Sequence, residues 1–199
     1  MGAPILAAQL GLKELWLKLE TAHAPRRDAR MRAVATAAAK AYGLDADRDW
    51  LRLASYAAEG PKTVAYEIVE QLGWRFPCYV VAPVATGRLL IKLGQGFDEL
   101  ERVGLLTGSP PRLLGAIPTG TALSGMDGEL AAATAAAANG KLVEVPPPAG
   151  IHALLQIVRD ETASGAAGSS HTVVLVLAGE GPTTARDVAL LVERSDLAI

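Results

Sequence analysis

Cysteine is all but missing from this chain: Cys78 stands alone among 199 residues. No intrachain disulfide can form, so a small disulfide-stapled scaffold is excluded. Cys78 begins the apolar run Cys78-Tyr-Val-Val-Ala-Pro-Val84, a setting that suits a small core thiol better than a reactive thiolate. Aromatic residues are also scarce, at 5%, and the net charge is only −2. Nothing here predicts a nucleic-acid partner, which would call for a basic surface with stacking platforms. The cluster Arg26, Arg27, Arg30 and Arg32 is local and reads as a solvated helix face. No uninterrupted apolar stretch is long enough to predict a membrane span. The first residues, MGAPILAAQLGLKELW, show no basic leader and no clear cleavage site, and Leu6 breaks the myristoylation pattern. The expected compartment is the cytoplasm.

What is present suits one globular domain over 1–199: half of the residues are apolar and a fifth are charged. Short strands are predicted at Leu15–Leu19, 78–84, Arg112–Ile117, Leu142–Val145 and Thr172–Leu177. Helical periodicity falls between them, at about Asp28–Tyr42, Pro61–Leu72, Gly87–Val103, Met126–Asn139, Pro148–Glu161 and Pro182–Glu193. Val64, Ile68, Val69 and Leu72 form one apolar stripe. The alternation predicts an α/β fold, a three-layer arrangement with a mainly parallel sheet flanked by helices. Residues 44–58 read as a short polar linker. Asp45, Asp47 and Asp49 have the spacing of calcium-loop ligands, but the glycine turn and distant glutamate of that motif are missing, so no metal site is expected.

Open α/β sheets bind ligands at the carboxyl ends of their strands. Two such ends carry glycine turns, Pro83-Val-Ala-Thr-Gly87 and Ala178-Gly-Glu-Gly-Pro182. The helix after the first turn offers unpaired N–H groups to an anion, and Arg88 and Lys92 could add charge there. Ordinary strand-to-helix connections would look the same.

The order of segments is more specific. Glu59-Gly-Pro-Lys-Thr-Val-Ala-Tyr-Glu-Ile-Val-Glu-Gln-Leu-Gly-Trp74 precedes Val80-Val-Ala-Pro-Val84, and Lys92-Leu-Gly-Gln-Gly-Phe-Asp-Glu-Leu100 follows it. This resembles threonine synthase, of the tryptophan-synthase-β-like, fold type II group of pyridoxal-phosphate (PLP) enzymes. Leu10–Glu20, Val143–Leu154 and Thr172–Gly181 extend the likeness over most of the chain. The resemblance implies the large domain of such an enzyme. It also implies a cofactor cradle at Ala85, Thr86, Gly87, Arg88, Ala178 and Gly179.

Several family features do not carry over. The position of the family's Schiff-base lysine falls on Asp28 or Ala29, and no lysine occurs between Lys18 and Lys40. The glycine-rich phosphate loop has become Pro83-Val-Ala-Thr-Gly-Arg88, and the residue facing the pyridine nitrogen is Ala178, which has no hydroxyl. Only 43–58 fill the place of the family's small domain. The expectation is therefore a truncated, catalytically degenerate domain acting as a binding or interaction module. No catalytic residue and no resident cofactor are assigned, while PLP or a phosphate or sulfate anion remains open as a ligand. Surface uncovered by the missing domain predicts a homo-oligomer, such as a dimer, or a protein partner. Two alternatives stand beside this: a PLP-dependent lyase or synthase completed by a partner subunit or by a relocated lysine (Lys62 or Lys92), and a non-catalytic anion binder.

Overall fold

The computed structural model of the chain describes residues 2–20, 27–45, 48–84, 87–120, 136, 141–146 and 150–178. Five strands form its centre: β1 (Glu14–Glu20), β2 (Tyr79–Pro83), β3 (Arg112–Pro118), β4 (Lys141–Val145) and β5 (Thr172–Ala178). Their order across the sheet is β1-β5-β2-β3-β4, and every pairing is parallel. The helices with described bounds are α1 (Pro4–Gln9), α2 (Arg27–Tyr42), α3 (Trp50–Ala57), α4 (Thr63–Gln71), α5 (Arg88–Arg102) and α6 (Ile151–Ala163), with a 3-10 turn at Gly60–Lys62 before α4.

The uninterrupted apolar run of β5 has a direct cause. Successive side chains of a strand point to opposite faces, and here both faces are covered. Val173, Leu175 and Leu177 enter a core shared with α1 and α6, including Leu6, Leu154, Leu155 and Val158. Val174 and Val176 enter a second core with α4 and α5, including Ile68, Val69, Leu93 and Phe97. The stripe Val64, Ile68, Val69 and Leu72 is buried as its spacing requires. Cys78 is partly buried against the first core.

Gly96 lets α5 lie close against α4. A Cβ built there would stand 2.9 Å from the Ala65 Cβ and 3.2 Å from the Lys62 carbonyl oxygen. The glycine is thus a contact surface, and it brings the side chains on either side of it, Lys92 and Glu99, up to the 3-10 turn and α4.

The structure differs from the sequence reading in two places. Residues 44–58 are not merely a linker, because α3 occupies Trp50–Ala57. Its Leu53 and Ala57 pack with Ala35 and Ala39 of α2 in a small third core. Polar residues around Asp45–Asp49 had masked this short apolar stripe. They serve the helix start instead: Asp45 Oδ1 accepts the Arg48 N–H at 2.8 Å, and Asp49 Oδ2 accepts the Asp45 N–H at 3.1 Å. Among the described residues no group of acidic or histidine side chains is arranged to hold a metal. The second difference is α1, absent from the sequence reading. Pro4 suits its first turn, where the missing N–H costs nothing. The helices expected at Met126–Asn139, apart from Ala136, and at Pro182–Glu193 lie outside the described residues.

Candidate functional site

Helices that join parallel strands run antiparallel to them, so the first turns of α4 and α5 stand at the carboxyl edge of the sheet. The register brings the carboxyl ends of β2 and β5 side by side there. Glu20 of β1 is level with Ala178 of β5, and Tyr79 of β2 is level with Val173 of β5. Carrying that register forward sets Val84, just past β2, level with Ala178 at the end of β5. Val84 donates its N–H to the Ala116 carbonyl of β3 at 2.8 Å, anchoring the first turn to the sheet.

Gly87 is the N-cap of α5, in the left-handed region at φ 71° and ψ −23°. A residue with a Cβ is disfavoured there, which explains why this glycine stands in the turn. Its carbonyl accepts the Ile91 N–H at 3.1 Å. The first N–H groups of α5 have no acceptor within the helix and give this end partial positive charge. Of the other sequence-derived positions, Arg88 is exposed, and Ala178 ends β5 with a side chain outside the described set. Ala85, Thr86 and Gly179 lie outside the described residues.

Lys92 does not add its charge to this turn. Its Nζ bonds Glu59 Oε1 at 2.7 Å, which withdraws it into a network that the sequence reading missed. Lys62, at the end of the 3-10 turn, bonds Glu99 Oε1 at 2.5 Å and also Glu59. The Tyr66 hydroxyl donates to Glu99 Oε2 at 2.7 Å. Burial works to raise the carboxyl pKa of Glu59, but hydrogen bonds from Lys62 and Lys92 outweigh it and hold the group below the ordinary carboxylate range. Glu99 is held low in the same way, against burial, by Lys62 and Tyr66. For Lys62, burial pulls downward, and its bonds with Glu59 and Glu99 reverse the direction and raise it. The phenol of Tyr66 is pushed up to about 12 by burial and by the adjacent Glu99 carboxylate. A sequence signal existed: Lys92, Gly96 and Glu99 are spaced to share one face of α5, with the small residue in the middle marking a close contact.

All six lysines of the chain fall within the described residues. Lys18, on β1, is largely buried and bonds Glu67 Oε2 of α4 at 2.5 Å. Lys62 and Lys92 belong to the network. Lys141 opens β4 and bonds Glu161 Oε1 at 3.2 Å. Lys13 precedes β1 at the opposite, amino edge of the sheet, and Lys40 is exposed in the last turn of α2.

A segment of 55 residues is 36% identical to threonine synthase of Methanocaldococcus jannaschii, and it makes up 28% of this chain and 14% of that protein. Among solved structures, the processed form of threonine deaminase isoform 2 from Solanum lycopersicum superposes with a TM-score of 0.52 at 13% identity. The superposition covers 96% of this chain and 82% of that one. Threonine deaminase of T.th. gives a TM-score of 0.49 at 16% identity, covering 90% of this chain and 89% of that one. No protein-family model matches the chain. The Solanum lycopersicum structure shows the fold: a parallel sheet flanked by helices.

Proposed function

We propose that this chain is a threonine-synthase-like domain that has lost catalysis and serves as a binding or interaction module. One observation carries the reading: none of the six lysines stands as an uncommitted amine at the start of α5 beside Gly87. Lys18, Lys62 and Lys92 are bound by carboxylates, Lys13 and Lys141 open strands at the opposite edge, and Lys40 lies on α2. PLP enzymes hold their cofactor as an electron sink through a lysine imine and tune it through the ring nitrogen. The residues present do not fit a covalently held PLP, and Ala178 has no hydroxyl for the ring. In this reading 1–199 form one domain, with 44–58 standing where the family's small domain would be inserted. The module works as a homo-oligomer, such as a dimer, or against a protein partner, in the cytoplasm.

The test is direct. Purified protein mixed with PLP is expected to show no saturable internal-aldimine band on one lysine, only non-specific labelling of exposed lysines such as Lys40, and no ammonia release from threonine. A band on a single lysine together with turnover would restore the enzyme reading, including the version completed by a partner subunit if that subunit has to be added. Sedimentation is expected to show self-association, and a monodisperse monomer at high concentration would remove the homo-oligomer from the proposal. A second reading, a non-catalytic site for phosphate or sulfate, draws on Gly87, Arg88 and the start of α5. It is weakened by the engagement of Lys92 with Glu59.

A further inference from the structure

The network around Lys62 does more than join two helices. The lysine stands where the 3-10 turn passes into α4, and its side chain is only 12% exposed. Glu59 binds it from the same turn, and Glu99 binds it from α5. The remaining oxygens are also taken: Tyr66 donates to Glu99 Oε2, and Lys92 donates to Glu59 Oε1. Two amines therefore share one carboxylate.

We infer that Lys62 is a caged nucleophile, clamped by Glu59 and Glu99, and that opening the cage would give this chain a lysine reactive toward small aldehydes. The inference rests on the non-catalytic reading, since it describes an amine silenced in the native protein. An amine attacks a carbonyl only as its free base. Burial disfavours the ammonium form, and a neighbouring like charge disfavours it further. Burial already acts this way at Lys62, Lys92 sits on the other oxygen of Glu59, and the carboxylates oppose both. Neutralising Glu59 and Glu99 would leave Lys62 beside Lys92 without a counterion, the arrangement by which lysine nucleophiles are activated. The freed nitrogen adds to the aldehyde carbon, the aldehyde oxygen departs as water, and a C=N bond remains. Hydride from borohydride then converts it into a stable secondary amine.

The test uses PLP as the aldehyde probe at neutral pH, on the wild-type chain and on the double variant Glu59→Gln with Glu99→Gln. Borohydride reduction is followed by peptide mass mapping. In the wild type, Lys62 is expected to label about tenfold or more slowly than exposed Lys40, because its side chain is buried and its amine is held by two carboxylates. In the double variant, Lys62 labelling should rise about tenfold or more while Lys40 stays unchanged. Wild-type Lys62 labelling as fast as Lys40 overturns the inference, and so does a folded double variant in which Lys62 stays silent. Circular dichroism reports whether the double variant folds. If it does not, Glu99→Gln alone should still raise the Lys62 rate, and an unchanged rate in that folded single variant counts against the cage. An aldimine band with turnover in the wild type would defeat the non-catalytic reading, whereas silence in both proteins defeats the cage alone.

Discussion

The two ends of the sheet are tied by ionic networks of different chemistry. At the amino edge, Arg75, just past α4, binds Glu14 of β1, and its Nη1 reaches Thr172 Oγ1 of β5 at 3.2 Å. Trp16 Nε1 adds a bond to Glu14 Oε2 at 3.0 Å. The hydrogen bond from Arg75, then that from Trp16, hold the Glu14 carboxyl below the ordinary range. Arginine stays charged at any working pH, so this tie is purely mechanical. Toward the carboxyl edge the cations are lysines, set between α4 and α5 and partly buried. The same geometry there holds groups able to do nucleophilic chemistry once released. A salt bridge thus means different things at the two ends, and the identity of the cation decides which.

The largest expected effect comes from removing the apolar floor beneath the lysine network. Phe97→Ala, at a fully buried position edge-on to Phe76, should cost about 3–5 kcal/mol in denaturant unfolding. An equal loss from Val103→Ala, at an exposed site, would show that the seam and the surface were wrongly ranked. Gly96→Ala attacks the close approach itself. The Ala65 Cβ and the Lys62 carbonyl must give way, and the expected loss is about 1–3 kcal/mol. Glu99→Gln leaves Lys62 and Tyr66 with a neutral partner and should cost about 1–2 kcal/mol. Arg75→Lys, at the more open amino edge, should cost no more than about 1 kcal/mol. A larger loss there than at Glu99 would reverse the comparison.

The pH dependence sharpens it further. Glu14, Glu59 and Glu99 all have folded pKa values below the ordinary 4.5. Their contribution is present above 4.5 and is lost as pH falls through the lower folded values. Lys62 and Tyr66 are raised from 10.5 and 10.0, Tyr66 to about 12. Their contribution is complete below about pH 10 and is lost as pH rises through the folded values. Acid unfolding should therefore weaken both edges, and alkaline unfolding chiefly the lysine edge. Urea melts of Tyr66→Phe against wild type from about pH 8 to 11 measure the difference. A wild type that loses no more stability over that range than the variant would contradict it.

Strand positions were legible because full burial on both faces writes a continuous apolar run, as in Val173–Leu177. The α4 stripe was legible because one covered face writes a helical period. The start of α5 at Gly87 could be read from a single glycine at a strand end. The helix α3 was obscured because its contact surface is small and its flanks are acidic. The placing of Lys92 was misread because charge near a helix start says nothing about which carboxylate will reach it.

The sequence by itself determined the alternation of strands and helices, the two glycine turns and the scarcity of lysine. These are local matters of periodicity, backbone freedom and composition. Only the tertiary structure decided that β5 would come to lie between β1 and β2, setting their carboxyl ends together. It alone decided that Glu59, Lys62, Lys92 and Glu99 would meet. Those outcomes depend on long-range packing, and above all on the bare backbone of Gly96, which lets two helices approach until their charges must pair.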